Sequence, residues 1–346
     1  MSSPCCLIFT GLILLAFVSV PACISPAPSG SAVTPATALT TVKVSYLPTI
    51  SYGPLMIARE EGYFARQGID VEFEKFQGSS LALPSLINGD IAVASGTVNP
   101  SLINAIAKGA HVRIVADKGR NAPGYSCNAS GLMVRQDLYE SGTLTTISDL
   151  KGKKVVVPSG EDYTLARILQ RGNLTADDIE LVVLDFPSAV VALQNGAIDA
   201  AVLSEPYVTK AMDSRAAVML LPTEVYTPDN PHPILYGPAF LDKDPELGRR
   251  FMVAYLEGAR QYNLGKTERN VEIISNYTKI DRELLQRTCW MPISSDGSQP
   301  RQPFRDQIDW EYAKGQISVN PEDDQIFDTS FIDYANGVLA NTSRAG

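Results

Sequence analysis

Residues 86–91 read Leu-Ile-Asn-Gly-Asp-Ile, and residues 193–198 read Leu-Gln-Asn-Gly-Ala-Ile, an offset of 107. In both places the hexapeptide joins a helical stretch to a strand. Upstream of the first lie "TVKVSYLP" (41–48), a strand stopped by Pro48, and "GPLMIAREEGYFARQG" (53–68), a helix with Pro54 in its first turn. "IDVEFEKF" (69–76) alternates apolar and acidic residues as a second strand, and "IAVASG" (91–96) is a third. Upstream of the second copy, "GKKVVVPSG" (152–160), "DYTLARILQRG" (162–172) and "IELVVLDF" (179–186) give strand, helix, strand again. A helix "PSAVVALQNG" (187–196) and a strand "AIDAAVLSEP" (197–206) complete it. The first strands match at an offset near 111 and the second near 110, the drift that loop-length changes between two copies produce.

Any two βαβ units share such patterns. The shared Leu-x-Asn-Gly-x-Ile in the same element order favours a duplication. The βαβαβ order predicts an α/β fold of two lobes, each a mainly parallel sheet with helices on both faces. Ligands of such sheets sit beyond the carboxyl ends of the strands, where helix N-termini point free N–H groups. Two lobes can turn those ends toward a common cleft. After a helix "PSLINAIAKG" (100–109), "VRIVAD" (112–117) reads as a fourth strand with Lys118 just past it. The last third reads as helical. Asp244-Pro245 starts one helix with Leu247, Phe251, Ala254, Tyr255 and Gly258 on one face. Asn320-Pro321 starts another, carrying Ile326, Phe327, Phe331, Ile332 and Tyr334 toward the core.

The 346 residues carry 29 basic and 38 acidic side chains, a net charge of −9. With no Lys/Arg-rich run there is no electrostatic footprint for a phosphate backbone, so nucleic acid is not an expected partner. The charges are uneven, and Lys43 is the first of them. Cys6 to Val20 is an apolar run broken by Thr10, Gly11 and Ser19, too short for a confident membrane span but fitting a secretory signal at residues 1–22. The run ends in Val20-Pro21-Ala22-Cys23, which resembles a lipobox with Cys23 as the lipidated residue, although Pro21 is unusual there and no Lys or Arg precedes the run. A plain secreted protein or an uncleaved anchor is the alternative. Residues 23–41, rich in Ser, Pro, Ala and Thr, read as a flexible tether. Cys127 and Cys289, the two body cysteines, either form one disulfide or remain two buried thiols. With His111 and His232 far apart, they offer no metal-ligand spacing, and no cofactor is expected.

The strand-end loops supply the candidate ligand residues. The first copy offers Tyr46, Ser51 and Tyr52, then Gly78, Ser79 and Ser80, then Ser95, Gly96, Thr97 and Asn99. The second offers Ser159, Gly160, Glu161 and Tyr163, then Ser188, then Ser204, Glu205 and Tyr207. Hydroxyls at helix starts donate to ligands, but they also serve as ordinary helix caps. The tyrosines either sandwich a ring or pack locally. The loops contain Glu161, Asp162, Asp185 and Glu205 but no Arg or Lys. The expected ligand is therefore a neutral or weakly cationic heterocycle such as a pyrimidine, with a nitrate-, sulfonate- or taurine-like anion as the other possibility.

The series "PLMIAREEGYFARQGIDVEFEKF" (54–76), "SLINGDIAVASG" (85–96), "DLKGKKVVVPSG" (149–160), "VVALQNGAIDAAVLSEPY" (190–207) and "FDTSFIDYANGVL" (327–339) resembles the substrate-binding proteins of ABC importers. The branch is the one that includes nitrate, sulfonate, taurine and thiamine-pyrimidine binders. The resemblance implies a type II periplasmic-binding-protein-like fold, with one lobe at 42–130 and 235–346 and the other at 131–234. "GLMVR" (131–135) and "PILYGPAFL" (233–241) would be the crossing segments. It also implies hinge closure on a small molecule, permease and ATPase partners, a monomer, and a place outside the cytoplasm tethered to the membrane by lipid at Cys23. An enzyme on the same fold, making a pyrimidine or quinone precursor, is the first rival. It needs a base beside a nucleophile, and neither His111 nor His232 is next to one in sequence. A ligand-sensing module is the second.

Overall fold

The computed structural model describes residues 38–76, 79–121, 124–157, 161–229 and 231–345. The export signal, Cys23, most of the tether, Gly78, Ser159 and Gly160 lie outside the described residues, and Ser79 is described only in its backbone.

Ten strands form two sheets. They are β1 (Thr40–Tyr46), β2 (Ile69–Lys75), β3 (Val93–Ser95), β4 (Arg113–Arg120), β5 (Ser130–Arg135), β6 (Lys154–Val156), β7 (Glu180–Val182), β8 (Ala200–Ser204), β9 (Ala217–Pro222) and β10 (Pro231–Tyr236). The first sheet runs β2-β1-β3-β10-β4 and the second β7-β6-β8-β5-β9. In each, a central strand pairs in parallel with two neighbours: β1 with β2 and β3, β6 with β7 and β8. The fourth place is filled by an antiparallel strand, β10 between β3 and β4, β5 between β8 and β9. The two orders are the same order, so each half is a mixed, mainly parallel sheet of one topology.

The repeated hexapeptide has a physical reason. Leu86 and Leu193 are buried helix residues, and Ile91 and Ile198 are buried as the chain enters β3 and β8. Between them Gly89 (φ 78°) and Gly196 (φ 75°) adopt the left-handed conformation that ends a helix and that a side chain would resist.

Three expectations need correction. The helix over 53–68 is two, Gly53–Glu60 and Tyr63–Arg66, because Gly62 turns the chain at φ 72°. The helix after Pro321 is also divided: Asp323–Ile326 stops, Phe327 bridges to Ile114 of β4, and a second helix spans Ser330–Ala345 with Tyr334 exposed. The fourth strand continues past Asp117 to Arg120, so Lys118 lies inside the sheet.

Helix Pro245–Tyr262 is the centrepiece of the first half. Asp244 caps it by accepting the Leu247 N–H at 2.9 Å, and its buried face packs on helix Gly53–Glu60. Gly258 lets the two come together, since a Cβ there would lie 2.2 Å from the Pro54 carbonyl oxygen. A disulfide joins Cys127, between β4 and β5, to Cys289 in the C-terminal part, closing a loop of 162 residues.

Candidate functional site

The carboxyl ends of β1 and β3 and the middle of β4 converge on Lys118. Its ammonium is buried at 4% exposure, donates to the Ser51 hydroxyl at 2.9 Å and stands 4.4 Å from the centre of the Tyr52 ring. Tyr52 is itself buried, meets Tyr46 edge-on at 5.9 Å, and directs its hydroxyl toward the Ser95 carbonyl. The Ser95 hydroxyl is buried without a partner among the described residues. Burial pushes Lys118 down to about 7, with the neighbouring Asp117 opposing the shift. A buried ammonium with one hydrogen bond and one ring face has donors to spare.

On the second sheet's side lies a small cavity of about 20 Å³, room for one water. Asn121, Ser130, Glu161, Thr164, Val202, Ser204, Thr223, Tyr226 and His232 line it. Asn121 just after β4, Ser130 at the start of β5 and His232 in β10 place the cavity where the chain passes between the two sheets. The Ser130 hydroxyl sits 3.0 Å from Asn121 Oδ1 and 2.8 Å from Thr223 Oγ1, which is 2.7 Å from the Tyr226 hydroxyl. Burial first, and then the Lys118 charge, hold His232 down to about 3, so it is neutral at physiological pH. Burial raises the Glu161 carboxyl, against the hydrogen bond from Thr164. The site thus carries a cation on one wall and an acid on the other.

The structure sorts the sequence candidates. Tyr46, Ser51, Tyr52 and Ser95 gather around Lys118, and Glu161 and Ser204 line the cavity. Asn99 caps helix Pro100–Ala107 through the Leu102 N–H and donates to the Ser80 hydroxyl, so these two brace the loop that holds Gly96 and Thr97. Tyr163 packs edge-on against Trp310 at 5.5 Å. Ser188 is exposed and gives its N–H to the cap residue Asp185. Glu205 is buried and committed, accepting from Thr209 N, Thr209 Oγ1 and Cys289 N. Tyr207 packs on Phe186 with Lys210 over its ring. Sequence reasoning missed Lys118, Asn121, Ser130, Thr164, Thr223, Tyr226 and His232. Extending the alternation of β4 beyond Asp117 would have found Lys118; His232, flanked by prolines, gives no such signal.

The model of the family described as "NMT1/THI5 like" matches residues 49–263, well over half of the chain. The chain belongs to that family. Its relatives include the riboflavin-binding protein RibY of Chloroflexus aurantiacus, 24% identical over 262 residues and covering 71% of each chain. The taurine-binding periplasmic protein of Escherichia coli (strain K12) is 25% identical over 226 residues, 64% of this chain and 67% of that one. Among solved structures, the periplasmic nitrate-binding protein NrtA from Synechocystis PCC 6803 shares the fold at a TM-score of 0.71 and 16% identity, over 87% of this chain and 89% of that one. The desulfurization enzyme DSZB shares it too, at a TM-score of 0.61 and 14% identity over 86% and 99%. The relatives matched in sequence are named as binding proteins.

Proposed function

We propose that the protein is the extracytoplasmic solute-binding component of an ABC importer, and that its ligand is a small solute with an anionic group that Lys118 receives. The halves close on it about the two crossing connections, and the loaded form is handed to a permease and its ATPase. The observation that carries the ligand class is the buried Lys118 ammonium, which among the described residues is hydrogen-bonded to Ser51, lies over the Tyr52 face and is close enough to His232 for its charge to be felt there. Leaving that charge unpaired costs several kcal/mol, and an incoming anion recovers much of it. The expectation of a neutral or cationic heterocycle rested on loops without Lys or Arg, and Lys118 inside β4 removes that premise. Hydroxyls of Ser51, Ser95 and Tyr226 suit the oxygens of a sulfonate, nitrate or carboxylate.

The carrier reading, against the enzyme, rests on relatives named for binding. His111 is bonded to exposed Asp242, and His232 has no Ser, Thr or Cys hydrogen-bond partner among the described residues. Mass spectrometry of ligand released from protein purified from its host, followed by titration with nitrate, ethanesulfonate, taurine and hydroxymethylpyrimidine, tests the ligand class. Binding of one of the anions is expected; binding of the pyrimidine alone overturns it. Anchoring through Cys23 predicts that Cys23→Ser moves the protein from the membrane to the soluble fraction.

A further inference from the structure

The rim of the site where the two halves meet carries a second buried acid that the ligand reading does not use. Helix Gln302–Ala313 packs with the first sheet, burying Phe304 and Ile308 there, and helix Asp162–Gln170 packs on the second through Leu165, Ile168 and Leu169. The two helices meet where Tyr163 touches Trp310. One residue on, Glu311 is 1% exposed. Its Oε1 accepts from Gln307 Nε2 at 2.8 Å, and Gln307 Nε2 also reaches the Val98 carbonyl, next to the Thr97–Asn99 loop. Its Oε2 is buried with no hydrogen-bond partner among the described residues.

An orphaned carboxylate oxygen at a seam is expensive when ionised and inexpensive when protonated. The surroundings reinforce this. From the facing helix come Asp162, whose charge opposes ionisation of Glu311, and Tyr163 and Arg167, with Arg167 donating to Gln170 and toward the Tyr226 carbonyl. Glu311's own helix adds Asp306 beside Tyr163, and helix Pro100–Ala107 offers no titratable side chain. No Lys or Arg is bonded to Glu311 among the described residues.

We propose that Glu311 is a proton-binding latch on this seam: the arrangement in which Tyr163 rests on Trp310 takes up a proton at Glu311, and parting of the two helices releases it. The proposal rests on the reading that the halves open and close around a ligand. Burial, with Asp162 adding to it, pushes Glu311 up to about 7 from an ordinary value of 4.5. The sign follows. Below pH 4.5 Glu311 is protonated in both arrangements and closure has its full strength. As pH rises toward 7 the open form ionises first, so closure weakens, by up to about 300-fold in its equilibrium constant if the open form titrates normally. Above 7 the constant levels off. Closure would then hold ligand more firmly in an acidic exterior and release it more readily near neutrality.

Trp310 is a built-in reporter, one of two tryptophans in the chain, so Trp290→Phe leaves it alone. Ligand-free protein in that background is followed by Trp310 emission and by small-angle scattering from pH 4.5 to 8.5. Raising the pH is expected to red-shift the emission and increase the radius of gyration. Glu311→Gln, which keeps the shape and the Gln307 contact without the charge, removes the pH dependence and leaves the closed signal throughout. Asp162→Asn raises the closed fraction at pH 8. Opening that follows pH identically in Glu311→Gln overturns the latch while leaving the hinge reading intact. Emission and radius that stay fixed at every pH in all variants overturn the latch, and a radius that then also stays fixed on adding ligand overturns the hinge reading.

Discussion

Replacing Lys118 tests the site at the residue where its electrostatics are concentrated. The free protein holds this ammonium near pH 7, so its protonated fraction falls from about 0.9 at pH 6 to about 0.01 at pH 9. A unit negative charge at about 4 Å, in an effective dielectric of about 20, contributes about 4 kcal/mol and raises the bound value by about three units, to near 10. Bound Lys118 therefore stays charged through pH 9. The association constant for an anion should fall about 90-fold between pH 6 and 9, about 2.7 kcal/mol. Titration calorimetry with ethanesulfonate or nitrate measures this directly, because neither ligand titrates in that range.

Lys118→Met keeps an unbranched side chain over Tyr52 and removes the charge. Its affinity should be low at every pH and the slope should vanish. Stability should move the other way. Because the folded value lies below the 10.5 of a free lysine, burying the ammonium costs stability in full below pH 7, and that cost fades as pH rises toward 10.5. The variant should be more stable than the parent at pH 6, on the order of 2–4 kcal/mol once the lost Ser51 hydrogen bond and ring contact are deducted. The gain should shrink by pH 9. A parent affinity equal at pH 6 and 9, a slope that survives in the Met variant, or a variant that melts lower at pH 6 would each refute the reasoning.

Glu205→Ala strips the acceptor from Thr209 N and Cys289 N, so it should cost about 2–3 kcal/mol in urea unfolding and leave ligand affinity within twofold; a residue that touched ligand would show the reverse pattern. Paired Cys127→Ser and Cys289→Ser changes reopen a loop of 162 residues and should lower stability by about 2–5 kcal/mol under non-reducing conditions. In Gly258→Ala the new methyl meets the Pro54 carbonyl, forcing two helices apart at about 2–3 kcal/mol in thermal melts. The control Gly337→Ala, in an exposed helical position with nothing within 4 Å, should be neutral or stabilising by up to about 1 kcal/mol.

What could be read without coordinates was local. Leu86, Gly89 and Ile91, with Leu193, Gly196 and Ile198, announce a helix end and a strand start within six residues, and the duplicated sheet follows from seeing that twice. What escaped depends on partners far along the chain. β10 carries prolines at 231 and 233, which remove two backbone donors and read as loop. It is a strand because β3 and β4, more than a hundred residues earlier, flank it, with a register shift between the prolines. That pairing brings His232 beside Lys118. From sequence Lys118 falls just past the fourth strand, whereas the strand continues through Gly119, at φ 130°, to Arg120. Glu205 is of the same kind: as a sequence it is an acid at a strand end, and only the fold brings the Cys289 N–H from 84 residues away to meet it. Counting loop acids pointed to a neutral or weakly cationic ligand; of those acids, Asp185 is an exposed cap and Glu205 accepts from N–H groups. Surface charge contributing to the net −9 is screened within about 8–10 Å. One ammonium buried beside Ser51 and Tyr52 is not, and the proposal of an anionic ligand therefore rests on Lys118 rather than on the composition.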